Sequence, residues 1–293
     1  MKSVAILGAG GYIGSYLTKK LSKKFKLKIL VHHAREAKRF KGLRHITSFS
    51  GDVLSRGDLE QVIQKGDIVV NLSGTTTLDQ REKDHFDVNL TGQYIVADVC
   101  AKRSARLIFF STAHIYSSKN ISSRESDTVQ PQDAYSFSKK LAEEIYEYYC
   151  RTHHLSATIL RVGSVYGPEH KKGVVYNMAQ SIKNIGVIEI PRQKVSRDMI
   201  YIDDAVNAVA KAISYSKKGF HVFNISSGKE ESLAHVAEKI CRISHKGSIK
   251  RVNKKTVPAT IHMNIRKAIR ELKFKPKIGL ETGLRRTLSS YKL

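Results

Sequence analysis

Two residues four apart, Tyr135 and Lys139 in Tyr135-Ser136-Phe137-Ser138-Lys139, offer acid–base chemistry. On a helix that spacing puts both side chains on one face. An ammonium beside a phenol favours the phenolate, so Tyr135 is a candidate proton donor or acceptor for interconverting an alcohol and a ketone. The spacing alone does not decide the matter, because Tyr16 and Lys20 repeat it. Context separates the two pairs. The apolar run Leu107-Ile108-Phe109-Phe110 leads into Ser111-Thr112-Ala113-His114-Ile115-Tyr116. This places hydroxyls at the end of a strand, where α/β proteins bind ligands. A second cluster, Gly8-Ala9-Gly10-Gly11-Tyr12-Ile13-Gly14, follows the apolar run Val4-Ala5-Ile6-Leu7. Glycines there let the backbone turn tightly and approach a pyrophosphate, which then sits at a helix N-terminus.

The elements that must position these groups alternate along the chain. Strands are expected at 4–7, 27–31, 46–49, 67–72, 107–110 and 157–160, with helices at 13–21, 84–102 and 134–151. Short apolar strands separated by helices indicate an α/β fold, a doubly wound parallel sheet covered on both faces. On the helix 134–151, Phe137, Leu141, Ile145 and Tyr148 read as the apolar stripe, with Tyr135 and Lys139 turned away from it. Beyond residue 165 the alternation breaks down. Helices are expected at 174–183, 204–214 and 232–244, strands at 187–190 and 221–225, and weak helices at 266–272 and 280–288. The end of the second strand reads Leu30-Val31-His32-His33-Ala34-Arg35, without the acid that commonly meets the adenosine ribose of NAD. His32 and Arg35 would accommodate a 2′-phosphate, so NADP is favoured slightly over NAD.

With these residues in view, the chain resembles the extended short-chain dehydrogenase/reductases, specifically the NAD-dependent epimerase/dehydratase family acting on nucleotide sugars. The matching features are ordered and run nearly end to end. They are Gly8-x-x-Gly11-x-x-Gly14, Gly51-Asp52-Val53, Asn71-Leu72-Ser73-Gly74, Asn89-Leu90-Thr91-Gly92 and Ser111-Thr112 before Ile115-Tyr116. Tyr135-x-x-x-Lys139, Arg161 before Val165-Tyr166-Gly167-Pro168, and Arg197-Asp198 leading to Asp203-Asp204 continue the series, and 274–284 matches the closing segment. The resemblance implies a Rossmann domain over 1–165 and a smaller substrate-binding region over 166–293, partly discontinuous, with 196–225 returning to the first domain. It implies that Thr112 bonds the reacting sugar oxygen, that Tyr135 is the acid/base, and that Lys139 holds the ribose and lowers the tyrosine pKa. Gly8, Gly11, Tyr12, Ile13, Gly14, Asp52, Val53, Leu72, Ser73, Gly74 and Asn89 would line the cofactor. His114, Ser164 and Arg197 would join Thr112 around the substrate, the arginine near its phosphates.

Three departures accompany the match. Ser164 stands where the family usually has asparagine. Pro191-Arg192-Gln193-Lys194 replaces a Gly-rich turn, and Ala113-His114 replaces the Asp-Glu pair of the sugar 4,6-dehydratases. The acid for eliminating water is missing, which disfavours a dehydratase. The expected function is an NAD(P)-dependent nucleotide-sugar epimerase or 4-ketoreductase. The competing reading is a non-enzymatic cofactor-binding or RNA-binding scaffold on the same fold.

Composition narrows the setting. The 293 residues carry 51 Lys+Arg against 26 Asp+Glu, a formal charge of +25, with an apolar fraction of 41%. That fraction excludes a disordered chain, and no apolar run is long enough to span a bilayer. Cys100, Cys150 and Cys241 are odd in number and widely spaced, against a disulfide framework or a zinc site. No metal is expected, the expected compartment is the cytoplasm, and a homodimer is admitted. The charge is uneven, about +9 over 1–110, +1 over 111–204 and +15 over 205–293, where 20 basic side chains face 5 acidic ones. Such an excess invites a polyanionic partner, although a Lys-rich solvated surface accounts for it equally.

Overall fold

The structure is a computed structural model describing residues 3–75, 81–116, 122–253 and 260–293. Its centre is a seven-stranded sheet in the order β10-β6-β5-β4-β1-β2-β3. The strands are β1 (Ser3–Leu7), β2 (Lys26–Val31), β3 (Ile46–Ser50), β4 (Ile68–Asn71), β5 (Arg106–Thr112), β6 (Ser156–Val162) and β10 (Phe220–Ile225). β1 pairs in parallel with both β2 and β4, and β4 pairs in parallel with β5. The doubly wound α/β expectation holds. Val4, Ala5, Ile6 and Leu7 have no exposed surface, which is why β1 reads as an unbroken apolar run rather than an alternating one.

The chain folds into two units. Unit 1 comprises Met1–Ile115, Val129–Arg161 and Val206–Phe223, and unit 2 comprises Tyr116–Thr128, Val162–Ala205 and Asn224–Leu293. In unit 1 the sheet is wrapped by α1 (Tyr12–Leu21), α2 (Arg56–Val62), α3 (Glu82–Phe86), α4 (Gly92–Lys102) and α5 (Ala134–Thr152). α2 has no counterpart in the sequence reading because its seven residues give too little periodicity. Ser55 caps it by accepting from the Asp58 N–H at 3.3 Å.

The helix expected at 84–102 is interrupted. A five-residue π-helical turn, Asp87–Thr91, lies between α3 and α4. Such turns insert an extra residue and re-aim side chains, and this one turns Asn89 fully inward.

The apolar stripe expected on α5 is also corrected. Its buried residues are Ser136, Ser138, Lys139, Ala142, Glu143, Tyr146 and Tyr149, whereas Phe137 and Tyr148 are 43% and 50% exposed. The helix therefore rotates its polar side chains towards the sheet. Glu143 has an ionic partner inside, while Ala142 and Tyr146 supply the packing, the latter 4.9 Å from the Phe109 ring.

Unit 2 contains two small sheets. β9 (Ser196–Tyr201) pairs in parallel with β7 (Ser164–Tyr166) and antiparallel with β11 (Glu230–Ser232). β8 (Val187–Pro191) pairs in parallel with β12 (Ser248–Val252). Of the stretch 196–225 assigned by sequence to the first domain, β9 lies in unit 2, and Val206–Phe223 is the part that joins unit 1. The longer helices of this unit are α6 (Gly173–Ile185), α8 (Leu233–Ser244) and α9 (Leu280–Ser290); α7 (Ile202–Ser214) begins in unit 2 and ends in unit 1. No helix among the described residues is long and apolar enough to cross a membrane.

The glycine turn is held by close approach. A Cβ on Gly14 would lie 2.3 Å from the Gly8 carbonyl oxygen, whereas one on Gly57 in α2 would meet nothing within 4 Å. Gly14→Ala is expected to lower unfolding free energy by about 1–3 kcal/mol through backbone overpacking. Gly57→Ala is expected to raise it by about 0.5–1 kcal/mol by restricting the unfolded chain. Urea titration of both variants measures the opposite signs.

Candidate active site

Three parallel strands end side by side in unit 1, and the loops after them carry the candidate residues. After β1, Gly8 adopts φ +77°, and a Cβ there would come within 2.9 Å of the Ser73 nitrogen. The turn after β4 thus lies directly against the glycine turn. α1 follows Gly11 with no side chain capping it and no acid in its first turn, so the positive end of its dipole favours an anion. Gly8, Gly11, Tyr12, Ile13 and Gly14 form this turn and helix start.

The loop after β4 is fixed from within. Asn71 accepts from Ser73 N at 3.0 Å and donates to Gln93 Oε1 at 2.6 Å and Tyr146 Oη at 3.1 Å. Leu72 N donates to the Leu7 carbonyl at 3.0 Å. At Gly74 the space is filled by two polar side chains: a Cβ would lie 2.7 Å from Asn89 Oδ1 and 2.8 Å from Lys139 Nζ. Asn89 in turn accepts from Thr75 N at 3.0 Å and donates to Ser138 Oγ at 3.0 Å. Gly74, Asn89 and Lys139, distant in sequence, therefore meet.

Thr112 ends β5, and its Oγ1 accepts from the His114 N–H at 3.2 Å. Its side chain lies close enough to Tyr135 to favour the phenolate. Burial pushes the Tyr135 phenol up to about 12, Thr112 opposes this, and Asp133 adds to it. The expectation that Lys139 holds Tyr135 as a phenolate is not met in this state. Lys139 is itself 4% exposed; burial lowers its ammonium to about 8, against the opposing attraction of Glu143. Its Nζ lies 3.4 Å from the Phe110 carbonyl and 4.7 Å from the centre of the Phe109 ring.

Around the adenosine end of the glycine turn, His32 Nδ1 lies 3.5 Å from Asp52 Oδ2, and Asp52 accepts from Leu54 N at 2.9 Å. Val53 is buried and Arg35 is exposed. The sequence reading missed the acid here. A 3-10 stretch, Ala34–Phe40, carries Glu36 back over Gly10, where a Cβ would fall 2.1 Å from Glu36 Oε2. Arg39 Nη1 donates to the Gly10 carbonyl at 3.0 Å. Glu36 follows Gly14 by 22 residues, and that interval was the available signal.

Ser164 and Arg197 lie in unit 2, on β7 and β9. Arg197 is buried, donates to the Ser196 carbonyl at 2.9 Å, and is lowered by desolvation. His85 was also missed by sequence. It is 2% exposed, 2.6 Å from Thr75 Oγ1 through Nδ1, with its ring 5.9 Å from that of Tyr135.

The residues fit a dinucleotide. The glycine turn admits no Cβ at Gly8 or Gly14 without a clash, no side chain caps the start of α1, and an acid stands beside Gly10. The hydroxyls of Thr112 and Tyr135 can together hold and protonate one oxygen.

Lys139 yields a stability prediction. Its folded value of about 8 lies below the ordinary 10.5, so the cost of its buried charge is fully present below pH 8 and fades as pH rises towards 10.5. Lys139→Met is expected to be more stable than wild type at pH 7, by on the order of 2–3 kcal/mol. The gap should close as the solution approaches pH 10.5. Denaturant midpoints at the two pH values measure it, and a destabilised variant at neutral pH would contradict a strained ammonium.

Known proteins resemble this chain in sequence and fold. The model of the NAD dependent epimerase/dehydratase family matches residues 4–226. A dTDP-D-glucose 4,6-dehydratase of Dictyostelium discoideum is 28% identical over 83% of this chain, which spans 62% of that protein. UDP-glucuronate 4-epimerase 3 of Arabidopsis thaliana is 28% identical over 68% of the chain, which spans 52% of it. Among solved structures, a UDP-glucuronic acid 4-epimerase from Bacillus cereus, in complex with UDP-glucuronic acid and NAD, superposes with a TM-score of 0.90. It is 22% identical and covers 99% of each chain. A dTDP-glucose 4,6-dehydratase from Bacillus anthracis, in complex with NAD, gives a TM-score of 0.88 at 21% identity over 100% and 97% of the two chains. On the match over 4–226, the chain belongs to the NAD dependent epimerase/dehydratase family.

Proposed function

We propose that the protein is an NAD-dependent nucleotide-sugar epimerase or 4-ketoreductase acting at one carbinol carbon. The observation that carries this reading is the meeting of Gly74, Asn89 and Lys139 from distant parts of the chain, with Thr112 at the end of β5 close to Tyr135. The relatives' named activities, on dTDP-glucose and UDP-glucuronate, support the substrate class.

Bound NAD would supply the hydride acceptor, and the glycine turn with α1 would hold its pyrophosphate. Thr112 orients the sugar oxygen by a hydrogen bond. In oxidation Tyr135 takes the hydroxyl proton as the carbon loses hydride; in reduction it returns that proton to the carbonyl oxygen. Lys139 keeps a positive charge beside these groups and reaches the ribose hydroxyls. Epimerisation uses both halves in one turnover with no net redox change, whereas ketoreduction uses only the second. Elimination of water is disfavoured because Ala113 and His114 stand after Thr112, on a 3-10 turn carrying no carboxylate.

Glu36 favours NAD over NADP. A carboxylate beside Gly10 can accept from a ribose hydroxyl, and it repels a 2′-phosphate. This reverses the preference drawn from His32 and Arg35, which overlooked the return of the 3-10 stretch. The exposed aromatic side chains Tyr94 on α4 and Phe137 and Tyr148 on α5 support a homodimer through that face.

Tyr135→Phe is expected to reduce turnover of UDP- or dTDP-sugars by at least about 100-fold, with NADH affinity unchanged by fluorescence titration. Wild-type turnover in that variant would remove Tyr135 from the chemistry. Glu36→Ala is expected to raise NADPH affinity relative to NADH by about tenfold, since one removed like-charge contact is worth about 1.4 kcal/mol or more. An unchanged ratio would return the choice to His32 and Arg35.

A further inference from the structure

We propose, on the reading of Tyr135 as the acid–base group, that His85 is its positioning residue, carrying the placement of Thr75 across to the phenol ring. Tyr135 is the second residue of α5. A helical side chain leans over the turn before its own, and at this position α5 has no earlier turn to receive it. Other elements must therefore hold the ring. The buried imidazole of His85, from α3, lies with its centre 5.9 Å from that of the Tyr135 ring and the two planes 54° apart. That separation is within the range of a favourable aromatic contact.

Thr75, in the loop after β4, fixes the imidazole. Asn89 Oδ1 accepts from Thr75 N at 3.0 Å, and Asn89 Nδ2 donates to the Thr75 carbonyl and to Thr75 Oγ1, each at 3.2 Å. Thr75 Oγ1 thus already accepts one bond, and its own proton is left for His85 Nδ1 at 2.6 Å. Nδ1 is then the acceptor, and the ring proton sits on Nε2. His85 and Asn89 are four residues apart, one on α3 and the other in the π-helical turn, and both close on Thr75.

The same asparagine reaches the backbone of Tyr135. Asn89 Nδ2 donates to Ser138 Oγ at 3.0 Å, and Ser138 Oγ donates to the Tyr135 carbonyl at 2.8 Å. Tyr135 is gripped at its backbone through Ser138 and Asn89 and at its ring through His85, and both routes end on Thr75. A phenyl ring at position 85 would supply the packing alone. An imidazole there adds a buried polar group, which is costly unless hydrogen-bonded, and Thr75 supplies the bond. That bond has a direction, so it sets the rotation of the imidazole, which packing leaves free for a symmetric ring. A small displacement of an acid–base group slows the chemical step far more than it weakens binding. The device therefore acts on turnover.

The test uses the full chain with meta-fluorotyrosine in place of tyrosine, the Tyr135 fluorine resonance being the one lost in Tyr135→Phe. Thr75→Val removes the hydroxyl at nearly constant size and is expected to move that resonance, whereas Thr75→Ser, which keeps the hydroxyl, should leave it in place. In a His85→Phe background, Thr75→Val is expected to add no further shift. His85→Asn serves as the background if thermal melts show that His85→Phe does not fold. With a UDP- or dTDP-sugar, Thr75→Val is expected to lower kcat about tenfold with KM unchanged, the mark of an interaction spent on the chemical step. A Tyr135 resonance that ignores Thr75→Val, or moves equally with and without His85, overturns the positioning role, as does a loss confined to KM. Wild-type turnover in Tyr135→Phe overturns the acid–base reading instead, and the fluorine shifts then still decide whether His85 couples Thr75 to the ring.

Discussion

Lys139 carries an ammonium into a place nearly without water, and the inner face of α5 is organised around the consequences. Desolvation favours loss of its proton. Glu143, one turn further along the helix, opposes that loss. Glu143 is equally buried and could not stand unpaired. Arg161 from β6 meets it through Nη2 at 2.7 Å and Nε at 3.1 Å, and the Ser111 hydroxyl donates to its other oxygen. Charge compensation therefore runs from Lys139 through Glu143 to Arg161, joining one helix to two strands. Loss of either member of the Glu143–Arg161 pair would leave a buried charge worth about 3–5 kcal/mol. The Lys139 amine depends for its charge on the same residues that lock α5 to the sheet.

A parallel sheet delivers the rest of the site. β1, β4 and β5 are neighbours running in one direction, so the turns after them open at one edge. Gly8, Gly74 and Thr112 come from those three turns. The approach is close enough that side chains are excluded at two of the three positions. The π-helical turn before α4 then brings Asn89 to Gly74, at the cost of regular helix hydrogen bonding. Asn71 performs the complementary task on the inner side, tying the β4 turn to Gln93 and Tyr146.

How much of this was legible depended on whether a feature was local. Continuous apolar runs identify β1, β2, β4 and β5 because parallel strands buried on both faces need no polar side. The glycine spacing identifies the turn because steric exclusion there is a short-range matter. The inward face of α5 was not legible, since hydropathy assigns Ser138, Lys139 and Glu143 to water and cannot see Arg161 waiting on β6. β9 was missed for the same reason. Its Arg197 and Asp198 are buried, with Asp198 accepting from Ser227 Oγ at 2.9 Å and Met263 N at 3.2 Å. Glu36 lay beyond a strand end that had been read for its nearest four residues, and only the 3-10 stretch returns it to Gly10.

The protonation states bear on the acid–base role proposed for Tyr135. With its phenol pushed up to about 12, Tyr135 is protonated at neutral pH, which under the proposed function suits it to completing a reduction. To act as a base in oxidation it must be ionised, which requires more positive charge than Lys139 supplies here. The oxidised nicotinamide ring is a cation and the reduced ring is not, so any such ring close to Tyr135 would favour the phenolate only in its oxidised form. The tyrosine would then be ready to accept a proton when hydride can be accepted, and ready to donate one when hydride can be given. Burial makes that coupling steep, because a phenol in bulk water would feel the ring's charge far more weakly. The desolvation that acts on Tyr135 and Lys139 is thus, under the proposed function, the property that would let one pair of residues serve both directions.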